Sequence, residues 1–368
     1  MDNKTPPSLH LPASRGSEQR EPLLLGYFFQ LHPHYHGSRY AITNPRLKKF
    51  VATQPVNNFI SMSPHGNDLK EGKWGTLDES LDFLGQDAYI MASSNGFLLC
   101  ASIVEANTRF VICNPVTREF RVLPESPKTY RCVSVAFICK GDYQGFSSMS
   151  TVNYEVFVAG ITSSETKNIR ELQIFSSETD EWNVSCIESP LPFCMGRRSL
   201  PGIVLEEMVY WLAGCHFLAY DRSNESVQVL EVPHPEDGDH ISPDDVVLED
   251  WLAASNGKLT YACSLLHRLE LWVLQDCVGG RANWKLKHSV THRRMIEHDP
   301  TLVRTYDTSN GCTIKGLHPR DPNRVMVHMG GNMYWYDAVA GNLEKIKTSF
   351  APELYLTFPY EFPWSPLE

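Results

Sequence analysis

Three histidines at alternate positions, His32, His34 and His36, form the most suggestive metal-binding spacing in the chain. In an extended segment residues i, i+2 and i+4 point the same way, so three imidazoles could face one ion. Pro33 interrupts a strand at that point, and no carboxylate lies nearby in sequence to orient the rings. The segment therefore reads as an exposed loop, and no metal is assigned. Asp244 and Asp245 with Glu249 and Asp250 could serve as paired carboxylates or as a calcium site, but the turn glycine and the EF-hand spacing are missing. A solvated acidic loop is the better reading. The patterns GxSxG, HExxH, Walker A and GxGxxG do not occur, and the ten cysteines include no CxxC pair. A catalytic cysteine would need a histidine partner in space, which no spacing here supplies. Neither a catalytic residue nor a cofactor follows from these patterns.

Binding chemistry has more candidates. Arg197 and Arg198, in CMGRRSLPG, and Arg293 and Arg294, in THRRMIEH, are short basic stretches on an acidic protein, and could contact an acidic client. Trp74, Trp251 and Tyr306 fall in loop-like segments, where aromatic side chains often anchor a partner. These seven residues are the candidate client-contacting set. Trp182, Trp211, Trp272, Trp284 and Trp335 lie in or beside strand-like runs and read as core.

The elements that would position them read as β-strands throughout. Ala92 to Pro124 holds three short strands joined by an Asn95-Gly96 turn and by Asn114-Pro115-Val116-Thr117. Asn-Gly is the strongest short hairpin signal, because a type I′ turn needs positive φ at both central residues. A close copy, Ala253-Ala254-Ser255-Asn256-Gly257-Lys258-Leu259, returns later in the chain. Units of this kind recur at a spacing of roughly 45 to 60 residues, which suits a propeller blade. The strands FVIC, VFVAG, MVYWLA, ELWVL, RVMVHM and NMYWY are nearly continuous apolar runs. Such runs are expected where both faces of a sheet are covered. No amphipathic helical window is present, so an α/β architecture is excluded.

The chain carries 43 acidic and 33 basic residues, a net charge of −10. That balance argues against nonspecific nucleic-acid binding and against an anionic membrane surface. No run approaches the ~18 apolar residues of a spanning helix. Residues 1–22 are polar and Pro/Ser-rich, without the apolar centre of a signal peptide, and read as a disordered lead-in. The expected setting is reducing, cytoplasmic or nuclear.

Taken in order, SLDFL (80–84), SSNGFLLC (93–100), VICNPVTREFRVLP (111–124), LQIFSSETDEWN (172–183) and MVYWLAG with FLAYD (208–221) resemble the associated domain of plant F-box proteins. The resemblance covers roughly residues 24–360. It implies an all-β fold, a single kelch-like β-propeller of about six to seven blades over residues 23–368. It also implies a noncatalytic substrate receptor of a cullin-type ubiquitin ligase, which holds a protein client while an N-terminal F-box binds a Skp-type adaptor. No LPxDLLxxILxRLP-type F-box segment precedes Leu23, so adaptor and cullin binding rest on the family and not on a motif in this sequence. A truncated gene model, a splice form and real loss would each explain this. The alternative class is a propeller enzyme or glycan-binding protein of galactose-oxidase-like architecture; fold alone does not fix function. Two structural expectations follow. Leu354 to Phe358 should join the sheet containing Gly26 to Gln30, and the turn at Glu206-Glu207 should be wider than two residues, because positive φ strains glutamate.

Overall fold

In the computed structural model the described residues are 23–31, 57–62, 77–85, 88–104, 107–127, 133–140, 149, 152–160, 169–188, 200–213, 216–233, 247–278, 281–297, 299–306, 311–351 and 355–362. They form six antiparallel sheets, within the expected number of blades. β1 (Leu23–Leu31) and β2 (Asn57–Ser61) begin the first sheet. The second sheet runs β3 (Ala88–Ser94), β4 (Phe97–Val104), β5 (Asn107–Cys113), β6 (Phe120–Val122) in spatial order. The third comprises β7 (Val133–Lys140), β8 (Asn153–Gly160), β9 (Ile169–Ser176) and β10 (Glu181–Glu188). The fourth is β11 (Ile203–Leu205), β12 (Met208–Ala213), β13 (His216–Asp221) and β14 (Ser226–Glu231).

The fifth sheet holds β15 (Val247–Ser255), β16 (Lys258–Leu265), β17 (Arg268–Val278) and β18 (Arg281–Thr291). Two short helices follow it, α1 (His292–Ile296) and α2 (Pro300–Thr305). β19 (Thr313–Leu317), β20 (Arg324–Met329), β21 (Asn332–Asp337) and β22 (Asn342–Ile346) make the sixth sheet. The final strand, β23 (Tyr355–Phe362), returns to the first sheet and pairs with β1, with Phe28 opposite Phe358 and Gly26 opposite Tyr360. The expected pairing of the two chain ends is therefore present. The chain divides into two compact units, one built on β1–β10 with β23 and the other on β11–β22.

Meandering order follows from the turns. Asn95-Gly96, Asn256-Gly257 and Gly330-Gly331 all adopt positive φ at both residues, the backbone a two-residue hairpin requires. The turn at Glu206-Glu207 is also two residues long, with Leu205 opposite Met208, which corrects the expectation of a wider loop. Glu206 takes a φ of 52°. Arg222 holds that conformation: its guanidinium donates to the Glu206 carbonyl at 3.2 Å and pairs with the Glu207 carboxylate at 3.2 Å.

A second turn type repeats in four sheets, between the third and fourth strands. Asn114, Ser176, Asp221 and Asp337 each accept a bond through the side chain from the amide two residues on, at 2.9, 3.3, 2.9 and 2.9 Å. Four positions further along, Arg118, Asp180, Glu225 and Gly341 enter the left-handed region. Short polar side chains at one end and a left-handed residue at the other thus reproduce the same reversal from four different sequences.

Apolar side chains on both faces of the sheets make the core. β1, β2 and β23 are knitted by Phe28, Phe59 and Tyr360, whose ring centroids lie 5.1 to 6.1 Å apart. Gly26 admits no side chain there, since a Cβ would stand 2.3 Å from the Ile60 carbonyl oxygen and 2.5 Å from the Phe59 ring. Replacing Gly26 by alanine is expected to cost about 2–3 kcal/mol through this overpacking, seen as a lower midpoint in thermal or urea unfolding. Deleting residues 352–368, which carry β23, should lower the melting temperature further; an unchanged transition would show that the chain ends do not hold the sheet together.

Candidate functional site

A cleft of about 410 Å³ opens over one face of the fifth sheet, at the end carrying the Asn256-Gly257 turn. Strand pairing sets Thr260, Val273 and Lys285 in one cross-strand row. Lys258 lies two residues from Thr260 on the same face, so its ammonium joins that of Lys285 at the rim. The third lysine arrives by a local break in pairing. Leu271 faces His288 and Trp272 faces Leu286, leaving Lys287 as the extra residue of a β-bulge. A second bulge on β17 leaves Gln275 unmatched between Leu274 and Asp276. Bulges re-aim side chains, and both of these residues line the cleft. Thr260 and Val273 form its buried floor.

Pro322, in the loop between β19 and β20, forms part of the opposite wall. That loop is fastened to the β15–β16 hairpin. Buried Ser255 donates its hydroxyl to the His318 carbonyl at 2.6 Å, and the Asn256 amide donates to the Pro319 carbonyl at 2.7 Å. Lys287 donates to the Pro322 carbonyl at 2.9 Å. Partial burial draws its pKa below the usual lysine range, against the pull of nearby Asp321. Lys258 and Lys285 are exposed, and neither has an ion-pair partner among the described residues. None of the lining residues is acidic. Three ammonium groups, an amide and a short apolar floor can hold an anion.

Of the residues singled out in the sequence, Trp74, Arg197, Arg198, His32, His34 and His36 lie outside the described residues. The other four share one neighbourhood. Arg293 and Arg294 are exposed on α1, whose N-cap Thr291 accepts a bond from the Arg294 amide at 3.3 Å. Tyr306 ends α2, and its hydroxyl shares a 2.8 Å hydrogen bond with Nδ1 of buried His292. Trp251 is not in a loop, contrary to expectation. It sits in β15, 8% exposed, packed in the cluster that includes Met295, Ile296 and Leu302 beneath the two helices. Glu249 and Asp250 are likewise strand residues. Glu249 is buried opposite Ser264, and Asp250 accepts from the Tyr261 hydroxyl at 3.3 Å. Burial of the adjacent Trp251 and Leu252 on the two faces of β15 outweighs the local charge.

Four buried cysteines are poor nucleophiles. Burial pushes the Cys139, Cys263 and Cys312 thiols well above their usual range and Cys277 to about 11. No group of three or more His, Cys, Asp or Glu side chains among the described residues is placed to hold a metal ion.

Residues 78–310 match the family model described as "F-box protein At3g26010-like, beta-propeller". The chain belongs to this family. Among curated relatives, "F-box protein At5g49610" of Arabidopsis thaliana is 29% identical over 174 residues, covering 43% of this chain and 45% of that protein. "F-box protein At5g07610", also from Arabidopsis thaliana, is 23% identical over 303 residues, covering 72% of this chain and 66% of its own length. The chain thus spans about half to two thirds of these relatives. Loose similarity extends to the solved structure of apo AztD from Citrobacter koseri, at a TM-score of 0.37 and 8% identity over 92% of this chain and 98% of that one. A Listeria monocytogenes EGD-e protein gives a TM-score of 0.38 and 11% identity over 72% of this chain and 84% of the other. The region shared with the F-box propeller family contains every cleft residue named above except those of the β19–β20 loop.

The lysine cleft escaped sequence reading, although it left a trace. Lys285 and Lys287 alternate along a strand of an acidic protein. Only the register against Thr260 and Val273 brings Lys258 to them.

Two outcomes are expected. Ser255→Ala strands the His318 carbonyl in a buried setting and should cost about 1–2 kcal/mol by denaturant unfolding. His292, His318 and His328 are each drawn down to about 4, mainly by burial. Their folded values lie below the ordinary 6.5, so the unfolded chain binds more protons between about 6.5 and 4. Stability from these groups is complete above that window and declines as pH falls through it. His292→Asn should flatten the decline, measured as melting temperature against pH.

Proposed function

We propose that this chain is the client-holding part of a ubiquitin-ligase receptor, a noncatalytic protein-binding propeller of the F-box-associated, kelch-like type. Membership of the F-box propeller family carries the reading. The raised thiol pKa values and the anion-holding cleft support binding in preference to covalent chemistry. In this reading a Skp-type adaptor and a cullin are the partners that deliver ubiquitin, and the client is a protein met in the cytoplasm or nucleus.

The test is purification of the tagged full chain from its native tissue under proteasome inhibition, with mass spectrometry of the eluate. Adaptor and cullin subunits are expected, together with a protein whose ubiquitin-modified form declines when this chain is absent. An eluate holding a bound glycan or metal and neither ligase subunit would replace the receptor with the glycan-binding or enzymatic alternative.

A further inference from the structure

β18 differs from the fourth strands of the other sheets. It holds eleven residues, Arg281–Thr291, or about 35 Å of extended chain. β10 has eight, β14 six, β22 five and β6 three. Strand order places β18 at the edge of the fifth sheet, and no described strand pairs with its outer side. Its charge also stands apart in a chain of net charge −10. It carries Arg281, Lys285 and Lys287 and no acidic residue, whereas β10 carries Glu181 and Glu188, β14 Glu231 and β22 Glu344. Lys287 is the extra residue of a bulge, so the unbroken run of this edge is 281–286. Arg281, Asn283 and Lys285 share one face of it, and Ala282, Trp284 and Leu286 the other. Arg281 and Lys285 are exposed, and neither has an ion-pair partner among the described residues. Between them Asn283 donates to the Asp276 carboxylate at 3.3 Å. Lysines and bulges guard a sheet edge against indiscriminate pairing, and the same charges select an acidic strand over an apolar or cationic one.

We propose that the edge at residues 281–286 takes a segment of the client protein as an added antiparallel strand. The inference rests on the receptor reading above and specifies how the client is held. In strand addition the main-chain bonds supply affinity and the alternate side chains supply specificity. One acidic residue is expected opposite Lys285 and a second opposite Arg281, because opposite charges across neighbouring strands attract. Asp276 already places a negative charge beside Asn283, so the partner residue at that place is expected to be neutral. On the other face the partner meets Ala282, Trp284 and Leu286, the last 43% exposed, and apolar residues fit there. The segment therefore reads apolar, acidic, apolar, neutral polar, apolar, acidic. A second copy of this chain fits poorly. Pairing β18 antiparallel with itself about Asn283 sets Arg281 opposite Lys285, and like charges facing each other repel.

The test measures fluorescence anisotropy of the full chain with a labelled peptide carrying Val-Glu-Val-Thr-Val-Glu between Gly-Ser flanks. Matched peptides replace both glutamates by lysine, or set the two glutamates side by side. Two more carry N-methyl groups on alternate amides, one on the odd positions and one on the even. The first peptide is expected to bind at least tenfold more tightly than the lysine or side-by-side versions. Methylation of one alternate set should cost at least tenfold and of the other less than threefold, because only one set of amides faces β18. The double variant Arg281→Glu with Lys285→Glu should exchange the preference, taking the lysine peptide over the glutamate one. Arg281→Gln with Lys285→Gln should weaken the glutamate peptide at least fivefold. Both side chains are exposed, and an unchanged melting temperature will confirm that the variants fold. Equal effects of the two methylated peptides would overturn the proposal. So would equal affinity for the lysine peptide, an unexchanged preference in the charge-reversed variant, or no binding of any peptide. A solution dimer whose dissociation constant shifts in either double variant would assign the edge to a second copy, and overturn it too. The assay contains neither adaptor nor cullin, so its failure leaves the receptor reading intact, and loss of those subunits from the tissue eluate leaves the peptide result intact.

Discussion

Hydrogen bonds from a Ser-Asn-Gly hairpin to the backbone of the following sheet set the geometry on which the rest of each unit depends. Ser94 accepts from the Cys139 amide at 3.1 Å, and Asn95 donates to the Cys139 carbonyl at 3.0 Å, joining the second sheet to the third. Ser255 and the Asn256 amide make the corresponding bonds to His318 and Pro319, joining the fifth to the sixth. Burial of apolar faces drives the sheets together, but that force has no direction and leaves neighbours free to slide. Backbone bonds at the hairpin remove this freedom. The first sheet uses the same place differently: Ser93 donates to the Pro359 carbonyl, and the Tyr360 hydroxyl donates to that of Gly96 at 3.0 Å.

A second repeated contact works at the outer strands. Trp182 on β10 donates to the Pro124 carbonyl at 3.0 Å and packs on Phe110 of the preceding sheet. Trp284 on β18 does the same to Glu231 at 3.1 Å, against Phe217. Each indole covers apolar surface and satisfies its own N–H in one placement. Inner hairpin and outer tryptophan together pin a sheet at two ends. The face left between them near β18 is free to carry lysines, and the cleft occupies it.

Much of this was written in local sequence. The Asn-Gly turns, the apolar runs and the family pieces between Ser80 and Asp221 required only neighbouring residues, and the strands appear where those patterns lie. The pairing of the chain ends was also legible, because both ends carry unmistakable aromatic strands. What remained hidden depended on distant partners. Glu206 tolerates a left-handed backbone because Arg222 clamps it, and nothing around Glu206 announces that arginine. Trp251 looked like a loop aromatic beside acidic residues, until the helices packed over it showed why it is buried. The cleft needed a register between three strands and two bulges, neither of which a single strand encodes.

The return of β23 to β1 has a consequence for synthesis. Among the described strands β1 comes first and β23 last, so β1 leaves the ribosome well before its partner on one side. Until β23 is made, the edge of β1 that it covers stands open, with Phe28 lacking the ring of Tyr360. An open apolar edge is a template for pairing with another chain. Closing so long a loop costs more ordering entropy than closing a hairpin, so this pairing is expected to form after the local ones. Nascent chains of this protein therefore expose β1 to misassembly until β23 joins it.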